Sequence, residues 1–166
     1  MDSPPIVVMG VSAVGKTTVG RALAELIGGT FADADDLHPR TNVEKMSAGE
    51  PLTDDDRAPW LDRVGEALRP GTVMACSALK RAYRDVLRGH APDTRFVHLK
   101  ADAALIADRA SRRRDHFMPP ALLQSQLDAL EPLAPDEPGV TVDADEPPDA
   151  LAARAAAGLG LIPAPG

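Results

Sequence analysis

Gly10-Val11-Ser12-Ala13-Val14-Gly15-Lys16-Thr17 is the stretch that decides how this chain is read. An apolar run, Ile6-Val7-Val8-Met9, stands before it and reads as a buried parallel strand. Behind it, Thr18 to Ile27 has apolar residues at Val19, Leu23, Leu26 and Ile27, a helix-length pattern. G-x-x-x-x-G-K-T between a strand and a helix is the spacing of a phosphate-binding loop. Glycines let the backbone curl until successive N–H groups face one anion, and the helix N-terminus adds partial positive charge. In that setting Lys16 reaches the β- and γ-phosphates of a nucleotide, and the Thr17 hydroxyl binds Mg²⁺. Residues Gly10 to Thr17, with Thr18 beside them, are the expected nucleotide site. A positive φ at Ala13 would cost about 1 kcal/mol, which is tolerable.

Around this loop the composition sets bounds. The chain has 166 residues, enough for one domain with a core. Aromatic residues make up only 3% of it, so Ala, Val, Leu and Ile must build that core. A net charge of −7 argues against nucleic acid as the main partner. The lone cysteine, Cys76, excludes an internal disulfide and a multi-cysteine zinc site, and it fits a reducing cytoplasm. No apolar run approaches membrane-spanning length, and the first residues lack the basic start of a signal peptide.

Further along, Gly28-Gly29 caps the first helix and Thr30-Phe31-Ala32 reads as a short strand. Helices are expected over Pro39 to Ala48 and from Thr53 or Asp54 to about Leu68. Strands are expected at Thr72 to Cys76, Arg95 to Leu99 and Val140 to Val142. The helices between and after them should run from Ser77-Ala78-Leu79-Lys80 to about Arg88, Ala103 to Arg114, Ala121 to Leu130 and Pro148 to Leu159. Strands alternating with helices mean an α/β fold: a five-stranded parallel sheet covered on both faces, with ligands at the carboxyl ends of its strands. The tail, residues 161–166, should be disordered.

Polar residues gather at those carboxyl ends. Asp33 and Asp35 follow the second strand two residues apart, so both side chains leave on one side. In phosphoryl transfer one could support Mg²⁺ and the other accept the proton of an attacking hydroxyl. Turn-forming and helix-capping aspartates are the plainer reading. Ser77 and Lys80 follow the third strand, with Arg81 and Arg84 one turn on. Such a group suits a small anionic or polyol substrate, although Arg81 or Arg88 taken alone reads as a solvated helix face. Arg109, Arg112, Arg113 and Arg114 precede a His116-Phe117-Met118-Pro119 break and could close over a triphosphate. Opposing a helix dipole would need fewer arginines. His38 is as well explained by a structural turn as by a substrate contact. Cys76, inside a strand, reads as a small core residue.

In these segments the chain resembles the bacterial gluconokinases. The resemblance rests on Gly10-Val11-Ser12 with Gly15-Lys16-Thr17, Asp33 through Arg40, and Asn42-Val43-Glu44-Lys45-Met46. Gly49 through Arg57 with Pro59-Trp60-Leu61, Cys76 through Lys80 with Tyr83-Arg84, and His116-Phe117-Met118 with Gln126 extend it. It covers almost the whole chain in order. It implies ATP-dependent phosphorylation of D-gluconate at the 6-hydroxyl. It also implies a fold like adenylate and shikimate kinases, with a substrate-binding helical region over 36–70 and a lid over 112–123. By that likeness Lys16 and Thr17 serve ATP and Mg²⁺, Asp35 is the base and Asp33 a metal or water-shell ligand. His38, Arg40, Lys45, Ser77, Lys80 and Arg84, with Asp35, would contact gluconate, and Arg109 and Arg113 would stand on the lid side. A cytoplasmic enzyme, often homodimeric, is implied as well. Ala13-Val14 departs from the Gly and Ser frequent in small-molecule kinases, which touches only the loop's fine geometry.

Two other readings compete. A kinase of the same fold could act on shikimate or a nucleoside monophosphate, but few aromatics are present to stack a second base. A GTP-binding switch needs Asn-Lys-x-Asp after a late strand. Here Leu99-Lys100-Ala101-Asp102 has Leu in place of Asn, and Asp136 to Gly139 comes too late to be a switch.

Overall fold

The computed structural model describes residues 3–111 and 120–162. Five strands, β1 (Ile6–Met9), β2 (Thr30–Asp33), β3 (Thr72–Ala75), β4 (Arg95–Lys100) and β5 (Gly139–Asp143), form one sheet in the order β2-β3-β1-β4-β5. Every pairing is parallel, with Val8 opposite both Ala75 and Val97. Among them run α1 (Lys16–Ile27), α2 (Arg40–Ser47), α3 (Asp54–Ala67), α4 (Arg81–His90), α5 (Ala103–Ser111), α6 (Pro120–Ala129) and α7 (Pro148–Gly158).

Strand β1 shows why the sheet has two covered faces. All four of its residues are fully buried. Alternation sends Ile6 and Val8 into one apolar cluster, with Val19 and Leu23 of α1 and Leu151 and Ala155 of α7. Val7 and Met9 enter the other, with Trp60, Leu61 and Val64 of α3 and Leu87 of α4. A short strand with no polar face can only sit at the centre of such a stack. The carboxyl end of β1 therefore opens into the phosphate loop at mid-molecule.

The ends of the elements follow local chemistry. Gly28 closes α1 at φ 71°, its N–H donating to the carbonyls of Ala24 and Glu25. Thr53 is the N-cap of α3: its side chain accepts from the Asp56 N–H, and Asp56 answers on the Thr53 N–H.

Helix α4 begins at Arg81, directly after the Ser77-Ala78-Leu79-Lys80 lead-in, in which Ala78 takes φ 43°. One stretch differs from the sequence reading. Leu161 and Ile162, expected to open a disordered tail, pack against the first cluster, and the Leu161 N–H donates to Ala156. The lid expected over 112–123 falls largely outside the described residues. Leu123, at its far end, is buried in the core.

Candidate active site

Backbone geometry builds the phosphate loop. Gly10 sits at φ 148°, and a Cβ there would stand 2.9 Å from the carbonyl oxygen of Leu99 on β4. Only glycine passes at that point. Ala13 takes φ 68° and Gly15 φ 103°, so the strain anticipated at Ala13 is present. Val11 and Val14 are buried in the first cluster and anchor the loop from below. Ser12, Gly15 and Lys16 are half-buried, while Thr17 and Thr18 are open to solvent. The Lys16 ammonium donates to the carbonyls of Gly10 and Val11, each at 3.0 Å, and so sits inside the loop's curl. The left-handed turns and the helix N-terminus behind them form the nest an oligophosphate requires.

Beside the loop, the Thr17 hydroxyl donates to Asp33 Oδ2 at 3.4 Å. The other Asp33 oxygen accepts the Asp35 N–H at 2.9 Å and starts a 3₁₀ turn over Ala34–Leu37. Among the described residues no three His, Cys, Asp or Glu side chains cluster tightly enough to hold a metal by themselves. A hydroxyl and a carboxylate next to a phosphate nest fit Mg²⁺, a hard cation that takes few protein oxygens and fills its shell with water and phosphate.

Asp35 faces the same cleft. The protein around it, and then the negative charge of Asp33, push its carboxyl above the usual range, opposed by Lys16 and His38. Its side chain is 85% accessible, so water screens these effects.

His38 is held from three sides. Its ring stacks on Trp60, with centroids 4.2 Å apart and planes within 8°. Trp60 also donates its indole N–H to Ala34 O at 2.7 Å, which pins the turn between the two aspartates. The Asn42 amide nitrogen lies 3.3 Å from His38 Nδ1 and donates to Asp56 O at 2.9 Å. This network makes Nδ1 an acceptor and puts the imidazole proton on Nε2, 4.0 Å from Asp35 Oδ1. Burial holds the ring's pKa below its usual range, so His38 is neutral near pH 7.

On the acceptor side the structure adds Arg57 and Tyr83 to the residues the sequence singles out. The Tyr83 hydroxyl donates to Asp54 at 2.6 Å and accepts from Arg57 at 3.1 Å. Arg57 and Lys80 also lie over the Tyr83 ring, at 5.4 and 5.7 Å from its centroid. Arg57 helps to lower the His38 pKa, so its charge reaches the Asp35 side of the cleft. Ser77, at the end of β3, accepts the Gly10 N–H at 3.2 Å and ties this wall to the phosphate loop.

Some residues expected at the site stand elsewhere. Arg84 cannot touch a substrate: its side chain is 0% accessible and forks onto Glu137 at 2.6 and 2.9 Å. Arg40 is 92% accessible and bonds Glu44 on its own helix. Lys45 bonds Asp56 at 2.9 Å and so joins α2 to α3, and its ammonium draws the Asp56 carboxyl down to about 2. Arg109 does reach the loop, donating to Val14 O at 3.0 Å and Ala144 O at 2.6 Å. It lines a groove with Ala13, Gly15, Thr18 and Pro148. Arg113 lies outside the described residues, as does His116. Burial pushes the Cys76 thiol up to about 12, which makes it a core residue and no nucleophile.

Comparison with known proteins gives the family and the fold. The family model for shikimate kinase matches residues 12–136. A gluconokinase of Gluconobacter oxydans is 50% identical over 152 residues, which span 88% of this chain and 85% of that one. The chain belongs to the gluconokinase family. Among solved structures, a gluconokinase from Sinorhizobium meliloti superposes with a TM-score of 0.88 at 49% identity, over 95% of this chain and 91% of that one. A sugar kinase from Janibacter sp. HTCC2649 gives 0.90 at 45% identity, over 99% of both chains. The fold is thus that of the P-loop kinases, and no helix among the described residues is long and apolar enough to cross a membrane.

Sequence reasoning missed Arg57, Tyr83 and Trp60 as parts of the cleft. Arg57 and Trp60 sit in the segment that carried the resemblance, but only packing brings them against Tyr83 and His38. The segments were informative, while the individual roles within them needed three dimensions.

Proposed function

We propose that this gluconokinase-family chain transfers the γ-phosphoryl group of ATP to the 6-hydroxyl of D-gluconate. The observation that carries the reading is the grouping of Lys16, Thr17 and Asp33 at the phosphate loop with Asp35 close enough to feel the charges of Asp33 and Lys16. Arg57, whose charge acts on His38 beside Asp35, and Lys80, over the Tyr83 ring with Arg57, support an acceptor side there. The loop amides and Lys16 hold the β- and γ-phosphates. Thr17 and Asp33 would hold Mg²⁺, which when bound neutralises phosphate charge. Arg109 closes the outer end of the loop toward the nucleoside.

Asp35 orients the acceptor hydroxyl and takes its proton late in the transfer. Arg57 and Lys80 supply the positive charge that a sugar-acid carboxylate requires. The region over 36–70 presents His38 and Arg57, and His38 shapes the wall behind Asp35. The compartment is the cytoplasm, and the assembly a homodimer that light scattering would read.

A coupled ADP-release assay over gluconate, other sugar acids and shikimate, with ATP and then GTP, tests the reading. Release that depends on gluconate and prefers ATP is the expected result. Release no faster with gluconate than without it would overturn the proposal.

A further inference from the structure

Gln126 is the one side chain among the described residues that bonds to an amide of the phosphate loop from outside it. Its Oε1 accepts the Ser12 N–H at 2.7 Å across 114 residues of sequence. Ser12 is the third residue of the loop, between the buried Val11 and the left-handed Ala13. The contact therefore acts where the backbone is most curled. Because the Ser12 N–H must meet an oxygen, the amide of Gln126 has only one orientation.

Helix α6 carries Gln126, and the residues just after its end are fastened to the acceptor wall. Leu123 is buried in the first cluster, and Leu127 and Leu130 pack against it. The Leu130 N–H closes the last turn on Gln126 O at 3.0 Å. One residue on, the Glu131 N–H donates to Leu79 O at 2.7 Å, and its carboxylate accepts the Arg81 N–H at 2.9 Å. Leu79 and Arg81 flank Lys80. The C-terminal half of α6 and the residues just after it thus hold both the nucleotide loop, through Gln126, and the Lys80 loop, through Glu131.

We propose that Gln126 is a positioning residue of phosphoryl transfer, fixing the Ser12 turn of the phosphate loop in register with the Lys80 loop through α6. A transfer between two bound substrates depends on their relative placement, and an error near 1 Å costs about a hundredfold. A residue in this role affects turnover more than binding of either substrate alone. The turnover part of the inference rests on the kinase reading above, whereas the Ser12 contact does not.

The test uses the full chain with Gln126→Leu and Gln126→Glu; the glutamate keeps an acceptor for the Ser12 N–H. Amide exchange at Ser12 is followed by NMR without ligand. kcat, both KM values and the unfolding midpoint are then measured with ATP and gluconate. In Gln126→Leu, Ser12 exchange should quicken about fivefold, the scale of one lost hydrogen bond. Its kcat should fall about ten- to a hundredfold with KM for ATP changed less than about threefold and the midpoint held. Gln126→Glu should keep Ser12 protected and be more active than the leucine variant. Unchanged Ser12 exchange in Gln126→Leu overturns the contact. Normal kcat in that variant, or a glutamate variant no better than the leucine one, overturns the positioning role. If wild type does not turn over gluconate, the kinase reading fails while the Ser12 result still stands or falls alone.

Discussion

Asp33 and Asp35 show how two like residues, two positions apart, are given different work. Asp33 spends both oxygens within the protein, one on Thr17 and one on the Asp35 N–H. Asp35 keeps its carboxylate open to the cleft. Asp35→Asn keeps the shape and loses the base, so kcat should drop by roughly 10²–10⁴ while KM for ATP changes little. Retention of kcat within a few-fold would make Asp35 a substrate-orienting residue only. Asp33→Asn should instead lose activity that added Mg²⁺ partly restores, as a titration of rate against Mg²⁺ would read. Lys16→Ala should leave the fold intact and slow transfer at least about a hundredfold, the scale of one transition-state charge contact. The grouping of these residues was legible in the sequence, because a phosphate loop and the strand beside it are local patterns. It erred on Arg84, because a basic residue one turn into a helix reads alike whether it meets substrate or a buried carboxylate 53 positions away.

At the scale of elements, that buried pair governs the loop between β3 and α4. Arg84 donates to Glu137 twice and to Ala78 O at 2.9 Å, and Ala78 is one of two alanines at positive φ among the described residues. The guanidinium therefore helps to hold a strained turn that carries Ser77 and Lys80. Glu137→Gln would leave a buried cation without its counter-charge, at a cost of about 3–5 kcal/mol. For a chain of this size that lowers the melting temperature on the order of 10 °C. Replacing the pair together, as Arg84→Met with Glu137→Leu, should cost less than the single change, since no orphan charge remains. Calorimetry on both variants checks the order; a double variant less stable than Glu137→Gln alone would show that Arg84's carbonyl contacts outweigh its charge. Strand and helix spans were legible because their apolar spacing is short-range. The turn at Ala78 was not, since nothing in Cys-Ser-Ala-Leu-Lys calls for a left-handed alanine. The arginine six residues downstream, bonded to Ala78 O, helps to hold it.

For the molecule as a whole, the sheet's centre contains a proton-sensitive group that the site does not use. His98 on β4 is 1% accessible, and among the described residues neither ring nitrogen has a hydrogen-bond partner. Burial, aided by the positive charges of Arg84 and Lys100, pushes its pKa down to about 4 from an ordinary 6.5. Between those values the unfolded chain binds a proton that the folded chain refuses, so stability falls as pH falls. The contribution is fully present above pH 6.5, declines by about 1.4 kcal/mol per pH unit within the window, and totals about 3 kcal/mol by pH 4. His38, also buried and depressed, adds a slope of the same sign. The two are separated by substitution: His98→Leu fills the site with an apolar group that does not titrate. Urea unfolding at pH 7, 6 and 5 should show wild type losing stability across the series and the variant losing about 1 kcal/mol per pH unit less. Equal slopes would mean that His98 finds a proton acceptor in the folded chain, and the acid sensitivity would then belong to His38 and the paired carboxylates.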